Sequence, residues 1–126
     1  MTRLTSEFFV SSLVRRIFSE GGFAAVSKKG ALEAGAIFVS VDRLDNSYDL
    51  YGPAPQAMFV ELKQGRLFEK ILEGVGNDQV QERLQSEARM DPDYWLVEIE
   101  ARDGAVDLPV AEEEDPGPTA SNLFRF

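Results

Sequence analysis

Phe9-Val10-Ser11-Ser12-Leu13-Val14-Arg15-Arg16-Ile17-Phe18 sets apolar pairs against polar pairs. A repeat of four built from two-residue blocks follows the α-helical period and gives one wide apolar face. Thr5 or Ser6 can cap the start, and Glu7 suits the positive end of the helix dipole. Gly21-Gly22 supplies a left-handed stop. The first element is therefore an amphipathic helix that needs something flat and apolar to cover.

The residues that follow provide it. Phe23 to Ser27 is a short β-favouring run. Ala36–Val41 and Tyr48–Tyr51 are rich in β-branched and aromatic residues, and Asp45-Asn46-Ser47 between them is typical hairpin-loop chemistry. Gly52-Pro53-Ala54-Pro55 then breaks the sheet pattern, because proline cannot donate to a ladder. Phe59–Lys63 and Leu67–Leu72 suit a second hairpin around Gln64-Gly65. A helix over 56–72 competes, since Phe59, Leu62 and Lys63 also fit a period near 3.6.

A second helix is expected after Gly76. Asp78 and Gln81 have capping-box spacing, and Val80, Leu84 and Ala88 form an apolar stripe. Arg83 and Glu87 can pair across one turn. Pro92 ends the helix. Trp95, Val97, Ile99 and Ala101 then alternate with Tyr94, Leu96, Glu98 and Glu100, as in a strand with one apolar face, and Trp95 reads as a core anchor. Asp103-Gly104 predicts a tight turn and a brief return strand over Ala105–Leu108.

The expected fold is α+β: an antiparallel sheet of four to six strands with the N-terminal amphipathic helix and a second helix near residues 78–90. Both helices are expected on one face, with the Trp95 strand central. Residues 1–108 form a single compact domain, and residues 109–126 an acidic Pro/Gly-containing tail with a hydrophobic tip.

With 126 residues, the chain suits one domain. It has no cysteine and no histidine. That excludes disulfides, thiolate zinc sites, thiol nucleophiles, imidazole bases and His-rich metal sites. Neither Gly-x-x-x-x-Gly-Lys-Ser/Thr nor Gly-x-Gly-x-x-Gly occurs, and no cofactor is implied. The net charge of −9 argues against general nucleic-acid binding. Residues 1–70 nevertheless hold nine bases and eight acids, against four and fourteen in residues 71–126. No apolar run approaches the roughly 20 residues of a membrane span, and polar breaks in the first 17 residues argue against a signal peptide. A cytoplasmic protein is expected.

Three groups of residues are candidates for function. Arg15, Arg16, Lys28 and Lys29 form a basic patch suited to phosphate or carboxylate, unless they are simply solvated. Asp91, Asp93, Glu98 and Glu100 are the carboxylate candidates. Glu98 and Glu100 share a strand face roughly 6–7 Å apart, which suits acid–base chemistry or a hard cation. Turn formation and ordinary surface charge explain the same residues, and no metal is assigned. Leu123, Phe124 and Phe126 form a tip suited to a partner's groove or to packing back on the domain. Gly52–Pro55, preceded by Tyr48 and Tyr51, is either a rigid binding loop or a strand terminator.

Four stretches, taken in order, resemble a family of small alphaproteobacterial proteins catalogued as a domain of unknown function. They are Leu13–Phe18 running into Gly21–Ala24, Tyr51–Pro55, Arg66–Glu69 and Asp91–Glu100. The resemblance covers about residues 3–108 and implies a compact cytosolic α+β domain of bacteria, with no activity to carry over. From the residues themselves, the expected function is a non-catalytic interaction or regulatory module with a protein partner, and a homodimer through sheet edges is compatible. The alternative is a carboxylate-based enzyme, or a binder of a small anionic ligand through the basic patch.

Overall fold

In the computed structural model, residues 5–55 and 67–110 are described. Helix α1 spans Ser6–Ser19. Thr5 caps it, its hydroxyl oxygen accepting from the Phe8 N–H at 3.1 Å. At the other end Gly21 sits at φ +87°, and the Gly21 and Gly22 N–H groups reach back to the Phe18 and Ile17 carbonyls. That is the left-handed stop expected of Gly-Gly, with Gly22 joining the Glu20 N–H on the Ile17 carbonyl to close the last turn.

Strands β1 (Phe23–Lys28), β2 (Ile37–Asp42), β3 (Tyr48–Pro53), β4 (Phe68–Val75) and β5 (Trp95–Glu100) form one sheet, with helix α2 (Asn77–Met90) between β4 and β5. The strand order is β1-β5-β2-β3-β4. The sheet is mostly antiparallel, with one parallel pair, β2 with β5, in the register Ile37↔Trp95 to Asp42↔Glu100.

The helices lie on opposite faces, not on the same one. Val10 and Leu13 of α1 pack with Val39, Val41, Trp95, Val97 and Ile99. Val80 and Leu84 of α2 pack with Phe38, Leu50 and Leu96. Adjacent residues of β2 thus point into two different cores, and Ile37–Val41 are all buried. A strand covered on both sides reads as a continuous apolar run, as Ile37-Phe38-Val39 does.

Three local expectations need correction. Helix α2 starts at Asn77 with Gly76 as its cap and no side-chain cap bond, so Asp78 serves the dipole and closes no capping box. Gly52 and Pro53 belong to β3, paired with Glu69 and Phe68. The ladder to β2 ends at Tyr51, so Pro53 falls beyond it. Asp103-Gly104 turns the chain, with Gly104 at φ +76°, but no return strand follows. Both edges of β5 are already taken, by β1 and β2, and a hairpin partner has nowhere to pair. Leu108 instead joins the α1-side core, and Val110 bridges to Phe68 at the outer edge of β4. Residues 68–72 are strand, which removes the helical reading there; the rest of that alternative, residues 56–66, lies outside the described residues.

Candidate binding cleft

The described charged groups are used in two ways: some tie the chain together and some line a cleft. The strongest tie was missed from sequence. Asp49 is fully buried and accepts from Arg43 at 2.9 Å and from the Gly74 N–H at 2.8 Å. Its hydrogen bond, more than any other effect, holds the Arg43 guanidinium above its usual range. Gly104 packs against the pair so closely that a Cβ there would stand 3.0 Å from Arg43 Nε. The β2–β3 turn, the end of β4 and the turn after β5 therefore meet on one ion pair.

The predicted basic patch does not assemble. Arg16, near the end of α1, donates to the Asp107 carboxylate at 3.2 Å and to its carbonyl at 2.7 Å. Lys28, at the far end of β1, donates to the Pro92 and Tyr94 carbonyls at 2.6 and 3.0 Å, and its ammonium lies 4.3 Å from the Tyr94 ring centroid. Arg15 and Lys29 are exposed.

The predicted carboxylates fall into two local pairs. Asp91 accepts from the Asp93 N–H in a tight turn, and the Asp93 carbonyl accepts from the Ala31 N–H. Glu98 accepts from the Ser27 hydroxyl at 2.9 Å, and Glu100 is exposed on the same sheet face. Among the described residues no three acidic groups are placed to hold a metal ion. Leu123, Phe124 and Phe126 lie outside the described residues.

What the fold does build is a cleft of about 210 Å³ between α2 and the sheet. Phe38, Ile71 and Tyr94 give it an apolar floor, extended by Ala36 and Pro53. Close packing shapes that floor: a Cβ on Gly52 would fall 2.5 Å from Ile71 Cδ1 and 2.8 Å from Phe38 Cε2. Glu69 from β4, Arg83 and Glu87 from α2, and Asp91 beyond α2 supply its charges. Arg83 and Glu87 neutralise each other at 3.0 Å, one turn apart. Glu69 and the second oxygen of Asp91 have no partner among the described residues. Of these cleft residues, sequence reasoning singled out Asp91, the Arg83–Glu87 spacing and Pro53 of the Gly52–Pro55 stretch; Glu69 and Tyr94 gave no functional signal, because only the sheet register brings them to one place.

A model of the family described as a protein of unknown function, DUF1491, matches residues 4–108. The chain belongs to the DUF1491 family. Solved structures agree. Protein Atu0922 from A. tumefaciens is 47% identical, covers 87% of this chain and all of its own, and superposes with a TM-score of 0.72. A crystal structure of a DUF1491 protein from Caulobacter crescentus is 32% identical, covers 88% of this chain and 100% of its own, and has a TM-score of 0.68. An NMR structure of a Caulobacter DUF1491 protein is 31% identical, with coverages of 89% and 100% and a TM-score of 0.69. No curated protein matches. The family is thus bacterial, and its domain is the α+β unit described above. Among the described residues no helix is long and apolar enough to cross a membrane.

Proposed function

We propose that this DUF1491 protein is a non-catalytic interaction module of the cytoplasm that recognises a protein partner through the cleft beneath α2. The observation that carries this reading is the division of its charged groups. Arg16, Lys28, Arg43 and Asp49 hold chain segments together. The cleft presents acids over an apolar floor, and among the described residues no serine, threonine or lysine lines it to pair with a base. Reaction chemistry needs a nucleophile and base in reach of each other, whereas recognition needs an apolar floor with a few oriented polar groups. Its size points the same way. About 210 Å³ falls below the roughly 300 Å³ at which small-molecule and cofactor pockets begin. The cleft suits one side chain of a larger partner. Binding of a small anion at the basic patch loses support, since two of its four cations are engaged elsewhere.

Affinity capture from the source cell tests the reading, using the wild type, Ala36→Leu to fill the cleft, and Leu32→Ser as an exposed control. The expected result is a captured protein that Ala36→Leu loses and Leu32→Ser retains. Equal retention by Ala36→Leu would refute the cleft as the recognition site.

A second copy of the chain is favoured as a further partner by one feature. Among the described residues strand β1 is a sheet edge, and its first residue, Phe23, meets Phe18 edge to face at 5.7 Å, each about half exposed. Sedimentation velocity should then show a dimer that Phe23→Ser dissolves.

A further inference from the structure

Among the described residues, one buried polar group of the cleft lacks a hydrogen-bond partner. Tyr94 is 7% exposed. Its ring makes an edge contact with Phe38 at 5.3 Å and lies beneath the Lys28 ammonium. Its hydroxyl has no hydrogen-bond partner among the described residues. Leaving a buried hydroxyl unpaired is unfavourable, so such groups are nearly always satisfied by protein, water or ligand. Tyr94 lines the cleft, and a group seated there is placed to supply that partner.

The rest of the cleft specifies what that partner carries. Once Arg83 and Glu87 have cancelled, Glu69 and the second oxygen of Asp91 remain as acceptors without a partner among the described residues, beside an apolar floor. Carboxylates and a hydroxyl above aromatic and aliphatic carbon suit a cation on an aliphatic stem: the stem covers Phe38 and Ile71, and the head meets the acids. Resting on the reading of the cleft as a recognition site, we infer that it takes an arginine or lysine side chain of a partner polypeptide.

A polypeptide is favoured over a free amine because the acids are solvent-exposed. Exposed ion pairs contribute little each, and a group this small has few atoms with which to offset the entropy of binding. Neighbouring contacts must add to it. Met90, one residue before Asp91 and 83% exposed, offers apolar surface for them.

The test is an NMR titration of the full chain at low salt with three blocked peptides, identical except for arginine, citrulline or glutamate at the centre, and with agmatine as the free cation. The arginine peptide should give saturable shifts at Ala36, Phe38 and Tyr94. Citrulline, which keeps the shape and removes the charge, should bind about tenfold more weakly, as should the arginine peptide to Glu69→Gln/Asp91→Asn. Both substitutions are at exposed positions and nearly isosteric, so folding is preserved. Equal binding of citrulline, or unchanged binding to the double variant, overturns cation recognition while leaving the cleft as a recognition site. Agmatine binding as tightly as the peptide overturns the polypeptide. If these cleft resonances answer no probe, the inference fails, and the capture experiment with Ala36→Leu judges the cleft on its own.

Discussion

Replacing Lys28 by methionine keeps an unbranched stem and removes the ammonium. In the structure that ammonium makes two charge-assisted hydrogen bonds, to the carbonyls of Pro92 and Tyr94, and lies over the Tyr94 ring. Hydrogen bonds to charged groups contribute about 1.5–3 kcal/mol each when well shielded, and an exposed cation–π contact about 0.5–1 kcal/mol. The bond to Pro92 is exposed and the bond to Tyr94 only part-buried, so both belong at or below the lower limit. Ordering a long side chain also costs about 2 kcal/mol in rotamer entropy. The net expectation for Lys28→Met is a loss of about 2 kcal/mol, or a Tm lower by roughly 8 °C for a domain of this size. Trp95 is the single tryptophan, 2% exposed, and its Nε1–H donates to the Ala31 carbonyl at 2.7 Å in the same region. Its fluorescence during urea unfolding therefore reports directly on the clasp that Lys28 closes. Lys29→Met is the internal control, expected to stay within about 0.5 kcal/mol of wild type. If the two variants unfold alike, Lys28 is a solvated surface charge and the reasoning that removed it from the anion patch is wrong.

Three further outcomes are expected. Asp49→Ala strips a fully buried acceptor from Arg43 and Gly74, and should lower Tm by about 10 °C or more in a thermal melt; a shift under about 3 °C would show the ion pair to be incidental. Gly30→Ala should be at least as damaging, because the new Cβ would sit 2.3 Å from the Asp93 carbonyl oxygen and 2.6 Å from the Tyr94 carbonyl carbon, both backbone; near-native amide spectra would contradict this. The Asp45 carboxyl is held below its ordinary value, chiefly by the hydrogen bond from the Ser47 hydroxyl and next by the Ser47 N–H. A depressed carboxyl pKa adds stability that is present above about pH 4 and is lost as pH falls through the folded value. Ser47→Ala should therefore lag the wild type in urea midpoint at pH 6, and the gap should narrow as the pH falls below the ordinary carboxylate range. A gap that is constant or widens on acidification would exclude this origin.

The candidate site was less legible than the fold, and the reason lies in distance along the chain. Arg83 and Glu87 are one helical turn apart, and local spacing suffices to pair them. Glu69, Tyr94 and Asp91 meet only because β4, α2 and the start of β5 are set by a five-strand register. Arg16 and Lys28 looked alike as surface cations. Their partners, Asp107 and the carbonyls of Pro92 and Tyr94, are 64 to 91 residues away, and no local pattern announces a contact at that separation.

Elements with a strong internal period are legible in the chain alone. These are α1 with a Thr5 or Ser6 start and a Gly21-Gly22 stop, the Val80/Leu84/Ala88 stripe of α2, the hairpin read at Ala36–Val41 and Tyr48–Tyr51, and the one-sided alternation from Trp95 to Glu100. Each is specified by contacts a few residues apart or by the pleat itself. The sequence also excludes cysteine and histidine chemistry, because an absent atom cannot be folded into place. Tertiary packing alone makes β2 and β5 parallel, sets α1 and α2 on opposite faces, and takes the chain after Gly104 away from the sheet interior. Alternation is the same whichever way a neighbouring strand runs, and an amphipathic helix does not name the face it will cover. Those choices belong to the packing of the whole sheet, and the cleft, which follows from them, belongs there too.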